Sequence, residues 1–433
     1  MLGQLKRDRR LWVMEIDQSE QHLIARVAAI DIGKAEMVCC VRVPGTGRAR
    51  AQEVRTYSTM TPSVLEMADW LTGLGVTRVV MEATSDYWKP VFYLLEEQVP
   101  ETWLVNARDV KHLPGRPKTD RLDAVWLCKV AERQMLRASF VPPPAIRRLR
   151  DLMRYRTDLV AVRTAEKQRV EKLLEDAGVK LSVVASDIFG VSGRAMMAAL
   201  IAGERDPARL ADMALGRMRV KTALLEKAFV ARFSEHHAFL LATMLRRVDT
   251  ANDDIAAIDT QVAAVLDEEL HDAAARLMTI PGIGAVTAVA IIAEIGLDMT
   301  RFPTAAHLCS WAKFTPLTSE SAGRTKGRQS TGHGNRYLAR TLGEVAVMAG
   351  RSHTFLGARY HRIARRRGKP RAIVAVGRSL LVVIWHLLSQ PGATFTDLGA
   401  DYYETRVNHQ RTARTHIKAL EGLGYQVTLA PAS

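Results

Sequence analysis

Val27-Ala28-Ala29-Ile30-Asp31-Ile32-Gly33 is an apolar run carrying one carboxylate near its end and a glycine after it. Its composition predicts a β-strand with Asp31 at the strand end. Two further strand patterns follow, Met37 to Val43 and Glu53 to Ser58, separated by the turn residues Pro44-Gly45-Thr46-Gly47. A helix is then expected, with Thr61 as N-cap, Pro62 at its first position, and Val64, Leu65, Ala68, Trp70 and Leu71 as its apolar stripe. The strand Arg78 to Glu82, the helix Tyr87 to Glu97 and the strand Thr102 to Asn106 complete the pattern. Three strands followed by alternating helix and strand predict an α/β domain with a mixed sheet.

Past Asn106, Arg108 to Pro117 reads as a loop leading into a helix from about Thr119 to Arg133, and Pro142-Pro143-Pro144 ends the domain. Residues 146–275 change character to helical and highly charged. Arg148 to Ala177 and Ser234 to Leu270 each permit a long helix, and Leu241, Leu245, Val248, Ile255, Ile258, Val262 and Val265 recur at three- and four-residue intervals. That spacing fits an antiparallel coiled coil or an ordinary helical bundle. The expected division is an extension (1–20), an α/β domain (21–145), a helical region (146–275), a helical C-terminal domain (276–400) and a tail (401–433).

The chain has 433 residues, 48% of them hydrophobic, and a net charge of +15. The apolar fraction excludes a disordered protein, and the charge points to a nucleic-acid partner. From Arg301 to Arg378 there are 16 lysines and arginines against two acids, Glu320 and Glu344. An excess of that length, including Arg365, Arg366 and Arg367, is expected to contact phosphate. Cys39, Cys40, Cys128 and Cys309 have no metal-binding spacing, so a reduced, cytoplasmic chain is expected. No apolar signal segment follows the basic start. The most apolar stretch, Ala372 to Leu388, carries Arg378 and falls short of the ~20 residues of a spanning helix, so no membrane is expected.

Three groups of residues could carry chemistry. Asp31 and Glu82 each end an apolar strand, and neighbouring strands would set them side by side. Asp120 and Asp123, at i and i+3, share one face at a helix start. Four converging acids repel unless a divalent pair, Mg²⁺ or Mn²⁺, compensates them, and two such ions suit phosphodiester exchange. In Ile280-Pro281-Gly282-Ile283-Gly284, between two apolar helices, Gly282 and Gly284 would let backbone N–H groups reach a DNA phosphate, as in a helix–hairpin–helix. The polar loop Pro316 to Arg328 offers serines beside Arg324, Lys326 and Arg328, with Arg336 following. By chemistry alone it is either a nucleophile loop or a DNA-contacting loop.

This order of motifs resembles the DEDD-type insertion-sequence transposases related to Piv-type DNA invertases, the insertion-sequence one-hundred-and-ten family. The resemblance runs from about Ala28 to Leu388. It is carried by Lys118-Thr119-Asp120-Arg121-Leu122-Asp123-Ala124, Ala29-Ile30-Asp31-Ile32-Gly33, Met81-Glu82-Ala83-Thr84, Ile280-Pro281-Gly282-Ile283-Gly284 and Gly332-His333-Gly334-Asn335-Arg336-Tyr337-Leu338. It implies a RuvC-like N-terminal domain of RNase H type, with Asp31, Glu82, Asp120 and Asp123 as the metal-binding acids. It also implies a C-terminal serine that attacks DNA to form a phosphoserine intermediate. The family's S-G-G-K stretch falls on Ser321-Ala322-Gly323-Arg324, with Ser319 the alternative. The implied partners are donor and target double-stranded DNA, a structured noncoding bridge RNA and further copies of the chain, as a dimer or tetramer. A junction nuclease using water, or an inactive nucleic-acid-binding derivative, are the competing readings.

Overall fold

The computed structural model describes residues 23–46, 49–107, 110, 119–316, 320–321, 324–325, 331–403 and 409–428. The expected extension, Ser319, Lys326 and Arg328 lie outside them. The chain forms two compact units, residues 1–141 and 142–433.

In the first unit, β1 (Val27–Ile32), β2 (Glu36–Pro44), β3 (Arg50–Ser58), β4 (Arg78–Glu82) and β5 (Glu101–Val105) make one sheet in the order β3-β2-β1-β4-β5. The β1–β2 and β2–β3 pairs are antiparallel, while β4 runs parallel to β1 and β5 parallel to β4. The mixed α/β sheet expected of this region is what forms. Alternation splits the strand residues between two cores. Ala28, Ile30, Val79 and Met81 pack with α1 (Thr61–Gly73) and α2 (Trp88–Leu95). Val27, Ala29, Cys40, Val80 and Val105 pack with α3 (Asp120–Glu132).

Helix α1 differs from its expected reading in two details. Met60, not Thr61, holds the N-cap position, with no side-chain cap. Val64, Met67, Ala68 and Leu71 are buried, while Leu65 is exposed, because one residue advances a helix by about 100° and carries Leu65 off the stripe.

The second unit is mostly helical. Helix α4 (Pro144–Asp176) and α9 (Glu235–Val265) run antiparallel, cross-linked by Arg156–Asp259, Arg163–Asn252 and Glu166–Arg247. At ~1.5 Å per residue α4 is about 50 Å long, enough to join two separate cores. Between them in sequence come the short helices α5 (Leu181–Val184), α6 (Val191–Ile201), α7 (Pro207–Asp212) and α8 (Thr222–Ala228). They enclose one core with Val170, Leu174, Leu241 and Leu245. The other end of the pair, at Ile146, Leu149, Met153 and Val262, packs into a larger core. That core contains α10 (Glu268–Met278), α11 (Ala285–Ile295), α12 (Ala305–Trp311), α13 (Arg336–Ala349), α14 (Phe355–Arg367) and α15 (Lys369–Ser389). A helix, α16 (His409–Gly422), lies in the tail.

Two expectations are corrected here. The helix expected to run to Leu270 stops at Val265 and restarts at Glu268, because the Asp267 carboxylate caps Leu270 N–H at 2.9 Å. Helix α15 has 21 residues, so it is not too short to cross a membrane by length and composition alone. Its buried face, Val376, Leu380, Leu381 and Ile384, is instead the centre of the larger core.

Candidate active site

The register of β1 and β4 builds the acidic site. Val27 pairs with Arg78 and Ile30 with Met81, the last rung of this ladder, and Asp31 and Glu82 are the next residues on the two neighbouring strands. Both continue the alternation of Ala29 and Val80 and therefore point to the face covered by α3. Glu82 is buried and Asp31 half-buried.

Helix α3 is anchored by its far end. Ile24 N–H donates to Glu132 O at 3.0 Å, and the Cys128 thiol lies 3.6 Å from Val27 O. The buried Glu132 carboxylate accepts a hydrogen bond from Arg42 Nε at 3.0 Å and forms an ion pair with Arg50 Nε at 2.6 Å. The helix thus runs opposite to β1. From Cys128 back to Asp120 is ~12 Å of helix, and from Val27 on to Asp31 is ~13 Å of strand. The start of α3, with Asp120 and the half-buried Asp123, is thereby brought to the sheet end that carries Asp31 and Glu82. Asp123 N–H closes the first helical turn on Thr119 O at 2.7 Å.

Carboxylate oxygens are hard ligands, the donor set that Mg²⁺ takes. Among the described residues, however, no three acid, histidine or cysteine side chains close into a metal-holding group. Among the described side chains, Asp31, Glu82 and Asp123 lie toward one end of the unit without forming a finished cage.

The remaining candidates lie in the second unit. Ser321 stands on a two-residue strand, β6 (Glu320–Ser321), paired with β7 (Arg324–Thr325), so that Ser321 and Arg324 are opposite partners. Gly282 and Gly284 lie in the turn between α10 and α11. Gly282 has φ +92°, a left-handed conformation that glycine adopts at little cost, and Gly284 is the N-cap of α11. Ile280 and Ile283 are buried beneath the turn, while Gly282, Gly284 and Ala285 are exposed at the start of α11. Arg336 is exposed, donates to Tyr337 Oη at 2.6 Å and stacks over that ring. Arg365, Arg366 and Arg367 are exposed in the last turn of α14.

One group had no counterpart in the sequence reading. Glu294, 3% exposed, sits in the otherwise apolar α11. It receives Arg154 Nε and Nη2, each at 2.8 Å, and Asn335 Nδ2, while Arg150 donates to the Ala293 and Glu294 carbonyls at 2.8 and 2.7 Å. The bidentate contact with Glu294 raises the pKa of Arg154. The signal available was a lone acid inside Ala-Val-Ala-Ile-Ile-Ala-Glu-Ile.

Comparison with known proteins agrees with this layout. Residues 28–178 match the DEDD transposase profile of IS110 type, and residues 274–362 match the profile described as "Transposase IS116/IS110/IS902 family". The chain is 25% identical to the transposase for insertion sequence element IS1111A of Coxiella burnetii, over 73% of this chain and 79% of that protein. It is 25% identical to an insertion element IS900 protein of Mycobacterium paratuberculosis, over 83% of this chain and 95% of that protein. It is 28% identical to the pilin gene-inverting protein of Moraxella bovis, over 32% of this chain and 44% of that protein. The first profile spans the β1 and β4 acids and the start of α3, the second spans the glycine turn and Ser321, and the chain belongs to the IS116/IS110/IS902 family of transposases.

Proposed function

We propose that this transposase moves its own insertion sequence by cutting and rejoining DNA through a phosphoserine intermediate, with Mg²⁺ held by Asp31, Glu82, Asp120 and Asp123. The observation that supports the reading is the β1–β4 register, in which Asp31 and Glu82 follow the last paired rung on neighbouring strands and continue the alternation toward the face covered by α3. The sheet order and strand directions fit an RNase H-like, RuvC-type domain. When bound, Mg²⁺ would neutralise phosphate oxygens and ease the departure of the leaving oxygen. Ser321 Oγ attacks phosphorus, an Oγ–P bond forms as the sugar oxygen bond breaks, and the leaving sugar oxygen takes the proton. A hydroxyl of the incoming strand then reverses the exchange and frees the serine. Gly282, Gly284, Arg324, Lys326, Arg328 and Arg336 would hold backbone phosphates, which position the duplex without reading its sequence. Target choice would come from an element-encoded bridge RNA, and two duplexes cut together would need a dimer or tetramer.

The test is a labelled element-end DNA incubated with the full chain, Mg²⁺ and RNA transcribed from the element flank, then resolved under denaturing conditions. A covalent protein–DNA band is expected, lost in Ser321→Ala and kept in Ser319→Ala. Loss in Ser319→Ala alone would move the nucleophile there, and cleavage without any adduct would establish the water-using nuclease instead. Full exchange without RNA would remove the guide from the reading.

A further inference from the structure

Helix α14 places Arg359, Arg362 and Arg366 along one face, and with Ile363, Arg367 and Tyr403 they line a cavity of about 270 Å³. Several of these side chains are already oriented. Arg359 Nη1 donates to Tyr403 Oη at 3.1 Å, and the Arg362 guanidinium lies 4.5 Å from the centre of the Tyr403 ring. Tyr403 is in turn stacked on Phe355 at 5.4 Å. Among the described residues no acid lines the cavity, and Arg359 Nε is a buried donor with no acceptor. The negative end of the α14 dipole eases the crowding only in the last turn, which Arg359 and Arg362 precede.

We propose that this cavity is a phosphate clamp that takes one phosphodiester group of a nucleic-acid strand; the ligand class rests on the strand-exchange reading above. Guanidinium forks match phosphate oxygens two at a time. The cavity, at about 270 Å³, has room for a phosphodiester group. An acceptor in the cavity would also satisfy Arg359 Nε, whose burial otherwise carries an uncompensated desolvation cost. Converging arginines on one phosphate differ from a solvated basic face in a measurable way. They neutralise one phosphate together, whereas spread arginines neutralise one each.

The test measures binding of the full chain to labelled duplex DNA and to labelled RNA of equal length across a salt series. Arg365 is adjacent in sequence but does not line the cavity, so Arg365→Gln controls for the loss of one charge. Arg366→Gln is expected to weaken binding about tenfold more than Arg365→Gln, the size of one charge-assisted hydrogen bond. The double variant Arg362→Gln/Arg366→Gln should lower the log–log salt slope by one phosphate, ~0.9 on duplex or ~0.7 on single strands. The substrate whose slope falls identifies the strand. Tyr403→Phe, which keeps the ring, should lower affinity at unchanged slope. Equal effects of the Arg365 and Arg366 variants, or a slope loss of two phosphates, would establish a solvated face and overturn the clamp. Inorganic phosphate, at matched ionic strength, should displace the nucleic acid from the parent chain more than chloride does and lose that advantage in the double variant. Competition by phosphate without any slope change would make the ligand a free anion and overturn the strand assignment. Because every readout is binding, the clamp can fail while covalent DNA cleavage stands, and the reverse.

Discussion

Asn335 serves two helices at once: its Oδ1 accepts from Tyr337 N–H at 3.0 Å and Leu338 N–H at 3.2 Å at the start of α13, while its Nδ2 donates to the buried Glu294 carboxylate of α11. The side chain thereby ties the N-terminus of α13, shortly beyond the serine hairpin, to the helix that begins at the glycine turn. Asn335→Ala removes the cap and one donor to a buried charge. We expect a loss of about 2–4 kcal/mol in the denaturant unfolding of the full chain. Glu294→Ala, which strands Arg154, should cost ~3–5 kcal/mol. A midpoint unchanged in both would show that the network is incidental.

Asp123→Asn and Asp31→Asn should abolish the proposed strand exchange and leave DNA binding intact, since each keeps its shape and loses the charge that would hold Mg²⁺. Recombination and fluorescence anisotropy on the same preparations separate the two effects. An asparagine variant with undiminished exchange removes that acid from the site.

Gly377 lies in α15 where an added methyl would clash with the edge of the Phe314 ring. Gly377→Ala should therefore overpack the larger core and cost about 1–3 kcal/mol. A smaller Phe314→Leu partner should recover part of that loss in a double-mutant cycle, and independence of the two changes would contradict the contact.

All four cysteines are free and buried. None should react with a thiol reagent in the native chain, and all four should react after unfolding. Burial pushes the Cys39 thiol above its ordinary 9.0, with Cys40 adding to the rise and Arg55 opposing it. Cys39 thus stays protonated in the fold while the unfolded chain ionises. Its contribution is full below pH 9.0 and is lost above it, by up to ~1.4 kcal/mol per pH unit for each such thiol. Cys39→Ala should flatten the alkaline limb of an unfolding-midpoint series, and an unaltered limb would exclude this thiol as its source.

The sequence by itself determined the elements of the N-terminal unit and the places of its acids. Apolar runs bounded by turn residues specify strands locally, so Asp31 and Glu82 were legible as strand-end carboxylates, and Asp120 and Asp123 as acids at the start of a helix. The Asp267 cap was also present in the letters, but a continuous apolar period across Val262 to Leu270 masks a break made by one side chain. What only the tertiary structure decided is pairing. Strand register, set by alternation against two cores, put Asp31 and Glu82 at the ends of neighbouring strands, and the Glu132 anchor set α3 running opposite to β1. Glu294 with Arg154 and Asn335 is 140 and 41 residues from its partners, and Tyr403 is 44 residues from Arg359. Such separations carry no local periodicity. A buried charge becomes tolerable only when chain closure delivers its counter-ion, and that is a property of the folded chain rather than of any segment.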